Sequence, residues 1–222
     1  MAAVRERHLA VTRTARYHTL GEPSVALRDV WFVLHGHAQL AAYFIRNFAG
    51  LDDGTRLIIA PEALNRFYVE PTTFHGAGQA RVGATWMTRE DRLAEIADYV
   101  GYLDRLYDEV FAELDRASVR AVVLGFSQGA QTACRWLCQG RARADTLVLW
   151  AGPVAAELTH ESSAPLRAMT VLRVLGNSDE MAAPEFLAAE NARVAALGLG
   201  TELIEFDGGH QVNLAVLRSL KV

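Results

Sequence analysis

Cysteine and lysine are nearly absent from this chain, and no apolar run in it is long. The 222 residues include two cysteines, Cys134 and Cys138, and one lysine, Lys221. The two thiols sit four positions apart on one expected helix and lack the further ligands a zinc site needs, so they read as buried free thiols. No segment approaches the roughly 20 apolar residues that cross a bilayer. The opening "MAAVRERHLAVTRTARY" is broken by charges and has no apolar signal-peptide core. The expectation is a cytoplasmic protein with no stable membrane insertion. Net charge is only −4, and the arginines are scattered among acids with no basic stripe, which argues against a nucleic-acid footprint. "LGFSQG" lacks the Lys-Ser/Thr ending of a phosphate-binding loop, and nothing else indicates a cofactor or a metal.

What is present is a globular composition, with 51% hydrophobic and 22% charged residues. A chain of this length fits one domain, 1–222, and buries roughly 70% of its unfolded surface, so it needs no disulfide or metal to fold. Apolar runs of strand length alternate with longer amphipathic segments. Strands are expected in "ARYHTLGEP", at Val30 to Leu34, in "RLIIAP", and at 120–124, 146–150, 169–175 and 201–206. Helices are expected from Ala38 to Gly50, from Asp91 to about Ala117, and at 128–139, 184–197 and 212–220. Residues 62–90 mix aromatics with Gly, Pro and Thr and read as an irregular excursion over one end of a sheet. The fold class is α/β, with a mostly parallel sheet covered on both faces.

In open sheets of this kind, ligands gather beyond the carboxyl ends of the strands. The residues that follow the strands here include His35-Gly36-His37, Gly125 to Gly129, Gly176 to Asp179, and Asp207 to His210. Gly125-Phe126-Ser127-Gln128-Gly129 fits G-x-S-x-G between a strand and a helix, the context in which that motif carries meaning. The turn is too tight for side chains two residues either side of the serine. It leaves the Ser127 hydroxyl exposed at a helix N-terminus, where unpaired N–H groups favour developing negative charge.

A serine hydroxyl needs an adjacent base to act as a nucleophile. Asp179 in "GNSDEMAAPE" and His210 in "DGGHQVNL" follow later strands in the order acid, then histidine. His210 would take the Ser127 proton, and Asp179 would orient the imidazole. Asp179 also suits a helix cap, and Glu180 and Asp207 are rival acids; His35, His37, His75 and His160 are rival bases. Oxyanion donors are expected from the backbone N–H groups of Gln128 and His37.

With these residues assembled, the chain resembles the α/β-hydrolase superfamily, and more closely the phospholipase/carboxylesterase family that includes acyl-protein thioesterases. The resemblance runs through "FVLHGHAQ", "IIAPEA", "GATWMTRED", "VLGFSQGA", "GNSDEMAAPE" and "FDGGHQ". It implies hydrolysis of small-molecule carboxylic esters or thioesters without a cofactor, through a Ser-His-Asp triad. Three positions depart from that pattern: Ala38 stands where a second glycine is frequent, Trp86-Met87-Thr88 replaces W-F-D, and Pro184 comes one residue late. Phe67, Tyr68, Trp86, Met87 and Phe126 are the expected acyl-pocket residues. The competing functional readings are a hydrolase-fold module that binds a small ligand without chemistry, and a peptidase using the same triad.

Overall fold

Unbroken runs of β-branched and aliphatic residues must bury both of their faces, and here they do so in a largely parallel sheet. The computed structural model describes residues 3–70 and 80–222. Seven strands lie in the order β1-β3-β2-β6-β7-β8-β9. They are β1 (Tyr17–Leu20), β2 (Asp29–Leu34), β3 (Arg56–Pro61), β6 (Arg120–Phe126), β7 (Thr146–Trp150), β8 (Thr170–Gly176) and β9 (Thr201–Phe206). Only β1, at one edge, runs antiparallel to its neighbour. All six residues of β2 are buried, as a central strand requires.

The two faces of the sheet carry separate cores. Val30, Phe32, Leu34 and Val123 pack against α2 (Arg92–Ala112), α3 (Gln128–Gln139), α4 (Ala164–Arg167) and α5 (Pro184–Ala196). Trp31, Val33, Val122 and Trp150 pack against α1 (Ala41–Phe44), the segment after it, and α6 (Leu214–Ser219). Each large aliphatic or aromatic side chain buried this way contributes about 1.5–3 kcal/mol. Among the described residues no helix is long and apolar enough to cross a membrane.

The structure departs from the sequence expectations at several elements. The helix expected from Ala38 to Gly50 is a single α-turn, Ala41–Phe44, continued by tight three-residue turns over Ile45–Leu51. Ile45, Phe48 and Leu51 are buried at intervals of three, and Asn47 Nδ2 donates to the Phe44 carbonyl at 2.9 Å, so the wider helical pattern gives way. The long helix α2 ends at Ala112; beyond it Asp115 accepts from Ala117 N at 3.0 Å and starts a separate turn. The last helix begins at Leu214 because Asn213 Oδ1 caps it, accepting from Ala215 N at 2.9 Å.

The excursion at 62–90 is not irregular throughout. Its described part contains an antiparallel pair, β4 (Asn65–Tyr68) with β5 (Val82–Thr85). That pair is fixed to the loop after β2 by two backbone bonds: Ala84 N donates to the Gln39 carbonyl at 3.0 Å, and Ala38 N donates to the Ala84 carbonyl at 2.9 Å.

Candidate active site

Parallel strands in register bring the ends of β6, β7, β8 and β9 side by side. Phe126 pairs with Trp150, Trp150 with Val174, and Gly176 with Phe206. Ser127 follows β6 directly, with φ 53° and ψ −116°, a conformation that is costly for any residue with a side chain. Its N–H donates to the Trp150 carbonyl at 2.8 Å, and Ala130 N donates to its carbonyl at 3.0 Å. Its hydroxyl caps nothing, although the residue sits at the N-cap of α3. The flanking glycines are required by approach distance: a Cβ on Gly125 would overlap the Gly129 carbonyl, and one on Gly129 would overlap the Leu34 carbonyl. Ala38 (φ 61°) and Ala151 (φ 49°) share the positive-φ state, so three non-glycine residues with this strain follow β2, β6 and β7. Ala38 thus holds by strain a backbone shape that glycine adopts freely.

Asp179 and His210 reach the same space from β8 and β9. The His210 imidazole Nδ1 lies 2.8 Å from Asp179 Oδ2, and the carboxylate side chain is 1% exposed. Asp179 Oδ1 accepts from Met181 N at 2.8 Å, so both carboxylate oxygens are engaged. An ionised carboxylate only accepts, so Nδ1 carries the proton and Nε2 is left as an acceptor. The Phe126 ring supports the imidazole from one side, centroid to centroid 4.9 Å. Trp150 Nε1 donates to the Gln211 carbonyl at 2.9 Å and ties the His210 loop to the sheet. That positioning role of Trp150 was not visible in the sequence, where it reads only as the last apolar residue of a strand.

Ser127, Asp179 and His210 line one cavity of about 270 Å³. Its apolar wall is formed by Leu149, Val174, Phe186 and Leu187, and its lining also includes Arg173 and Glu190. None of these was singled out from sequence, because the pocket forms between β8 and α5, which meet only once the chain has folded.

The expected acyl-pocket residues lie elsewhere. Trp86 is 1% exposed, stacks near His35 and donates from Nε1 to the His35 carbonyl at 2.9 Å. Met87 packs against the same core, and Phe126 is buried between Phe44 and His210. Phe67 stacks on the His37 ring and Tyr68 is half exposed. The β4–β5 pair stands on the β2 side of Ser127, while the cavity opens on the β8 side.

The two backbone donors expected for an oxyanion, His37 N and Gln128 N, take no acceptor among the described residues. The Gln128 side chain fastens the turn to the strand end opposite. Its Oε1 accepts from Trp86 N at 3.1 Å and its Nε2 donates to the Met87 carbonyl at 2.9 Å.

The rival residues are placed differently. His35 is fully buried; its Nε2 accepts from Ala63 N at 3.1 Å, so its Nδ1 donates to the Gly36 carbonyl at 2.8 Å. Burial pushes its pKa from 6.5 down to about 4, against a smaller opposite effect of the Gly36 hydrogen bond. It braces the loop as a neutral ring. Glu180 and Asp207 are exposed and take no part in the His210 pair. The His160 carbonyl accepts from Ser163 and Arg167 near α4, away from the cavity lining. His75 lies outside the described residues. Cys134 and Cys138 are free, and burial raises both thiols to about 12, which leaves them protonated and unreactive.

No protein-family model and no curated protein matches the chain in sequence. Solved structures do match it along nearly their full length. Esterase PE8 is 21% identical, with a TM-score of 0.63 over 92% of this chain and 98% of that one. Acyl-protein thioesterase 2 of Zea mays is 16% identical, with a TM-score of 0.65 over 92% and 95%. A carboxylesterase of Mesorhizobium loti is 19% identical, with a TM-score of 0.64 over 92% of each chain. The chain has the α/β-hydrolase fold. The helices on the two faces leave the carboxyl edge of the sheet open, and Ser127, Asp179 and His210 stand on that edge.

Proposed function

We propose that this α/β-hydrolase cleaves small-molecule carboxylic esters or thioesters through an acyl-enzyme, in the manner of the phospholipase/carboxylesterase family. The observation that carries the reading is the convergence of three groups in one cavity. They are a strained serine with an uncommitted hydroxyl, a histidine whose Nδ1 is held 2.8 Å from a buried carboxylate, and that carboxylate.

The chemistry follows from the placement. Nε2 of His210 accepts the Ser127 proton as Oγ attacks the ester carbonyl, and the imidazolium that forms is stabilised by Asp179. The carbonyl oxygen gains negative charge facing the free N–H groups of Gln128 and His37, at the positive end of α3. Collapse expels the alcohol or thiol, which takes its proton from His210. Water then repeats the sequence on the acyl-serine, releasing the acid and restoring Ser127. The esterase and thioesterase neighbours support an ester-cleaving reading over a peptidase one.

Nitrophenyl butyrate hydrolysis by the purified protein tests this. Turnover is expected in the wild type, with loss in a Ser127→Ala variant of unchanged melting temperature. Fluorophosphonate labelling should map to Ser127. A Ser127→Ala protein as active as wild type, or a wild type that neither turns over nor labels, overturns the reading; the latter result is what a non-catalytic binding module would give.

A further inference from the structure

Arg173 sits in the middle of β8 and is 8% exposed, an unusual place for a guanidinium. A guanidinium has five N–H groups. Among the described residues, one hydrogen bond uses them: NH1 donates to Oδ1 of Asn191 at 2.7 Å, and that partner is neutral. The remaining N–H groups are not sealed inside protein, since the enclosed unpartnered polar atoms among the described residues lie on His18, Trp31, Tyr99, Arg135 and Arg193. Arg173 is itself among the residues that line the cavity of Ser127 and His210.

Glu190, the nearby acid, does not neutralise this cation by contact. Its Oε1 accepts from Val154 N at 2.7 Å, which turns the carboxylate toward the loop after β7. Burial lowers the pKa of Arg173, and the charge of Glu190 opposes that shift from a distance. A buried cation whose partner is a neutral amide stands to gain from an anion with matching fork geometry.

Strand register fixes where such an anion would lie. Phe126, Trp150 and Val174 are aligned across β6, β7 and β8. Ser127 is one residue beyond Phe126, and Arg173 one residue before Val174. Two strand spacings and two residue steps separate their backbones by about 12 Å. Ser127 and Arg173 line the same cavity, and a short acyl chain running between them would lie against apolar walls supplied by Leu149 and Phe186.

We infer that Arg173 is a specificity-determining residue that binds a carboxylate at the far end of the acyl group, so that the preferred substrates are half-esters of short dicarboxylic acids. This rests on the hydrolase reading and names the substrate class of that same site.

The test compares monoethyl esters of succinic, glutaric and adipic acids with neutral counterparts in which an isopropyl group replaces the distal carboxylate. In the wild type, kcat/KM should favour the carboxylate at one chain length or more by about 10- to 100-fold, the range of a hydrogen bond to a charged group. Arg173→Met should invert the preference, and Arg173→Lys should keep part of it. A wild-type preference for the neutral ester at every length overturns the inference without any variant, and so does an unchanged ratio in a folded Arg173→Met protein. Wild-type turnover of neutral esters with no carboxylate preference sinks this inference and leaves the hydrolase reading standing. Absence of all ester turnover sinks both.

Discussion

Gly176, at the end of β8, is pressed against the turn that follows β9. A Cβ there would overlap the Gly208 carbonyl oxygen and stand 2.5 Å from that of Gly209. Ser178 N donates to the Gly208 carbonyl at 2.9 Å in the same crossing. Backbone contact between these loops is what lets Asp179 and His210 meet, because neither side chain is long.

Gly176→Ala should therefore misalign the pair without removing the side chain of Ser127, Asp179 or His210. Misplacement of about 1 Å can cost about 100-fold in rate, and overpacking should cost about 1–3 kcal/mol of stability. Ester turnover and urea unfolding of the same preparation measure both. A variant as fast and as stable as wild type would show that the crossing has slack.

Asp179→Asn should lower kcat about 10⁴-fold with little change in KM, since an amide in that place favours the wrong imidazole tautomer. The rate of fluorophosphonate labelling should fall in parallel. If labelling persists at the wild-type rate, the carboxylate does not orient His210.

Gln128→Ala keeps the backbone N–H expected to meet the oxyanion but deletes the bonds to Trp86 N and Met87 O. The Met87 carbonyl keeps its bond from the Thr85 hydroxyl, but leaving Trp86 N unpaired should cost about 1–3 kcal/mol in denaturant titrations. The loss of kcat/KM should be far smaller than in Asp179→Asn. A loss as large would mean that the side chain, and not the backbone, serves the reaction.

Acid should destabilise the fold through His35. Its folded pKa, about 4, lies below its unfolded value of 6.5, so between these pH values the unfolded chain binds a proton that the native chain does not. Stability is fully present above pH 6.5 and falls as pH drops toward 4. From pH 7 to pH 5 this group accounts for about 2 kcal/mol. Glu157 and Glu62 add losses at lower pH. Burial would raise both carboxyls, but hydrogen bonds from Arg135 for Glu157, and from Arg16 and Arg66 for Glu62, hold them below the ordinary value. Urea unfolding at pH 7 and pH 5 should show a difference about 2 kcal/mol smaller in His35→Gln than in wild type. An equal difference in both proteins would assign the acid sensitivity elsewhere.

Much of the scaffold was legible along the chain. Residues 146–150 and 201–206 form strands with the expected bounds, and 128–139 forms the expected helix. Local chemistry decides such segments: continuous apolar runs bury as parallel strands, and amphipathic spacing covers them as helices. The tight turn at Ser127 was legible for the same reason, since only glycine clears the backbone two residues away on each side. Local competition hid other features, as where Asn47 and Asp115 divert backbone groups and shorten expected helices.

By itself, then, the sequence determined the alternating α/β plan, the placement of Ser127, Asp179 and His210 after strands, and the strained turn, all of which depend on neighbours a few residues away. Only the tertiary structure decided which side of Ser127 holds the cavity. The aromatics at 67, 68, 86 and 87 carry chemistry suited to a pocket, yet Trp86 is consumed by His35 and the core, and Phe67 by His37. The cavity lies instead between β8 and α5, and Arg173 is part of its lining. Burial and charge compensation depend on which elements pack together in space, and spacing along one chain does not encode that directly.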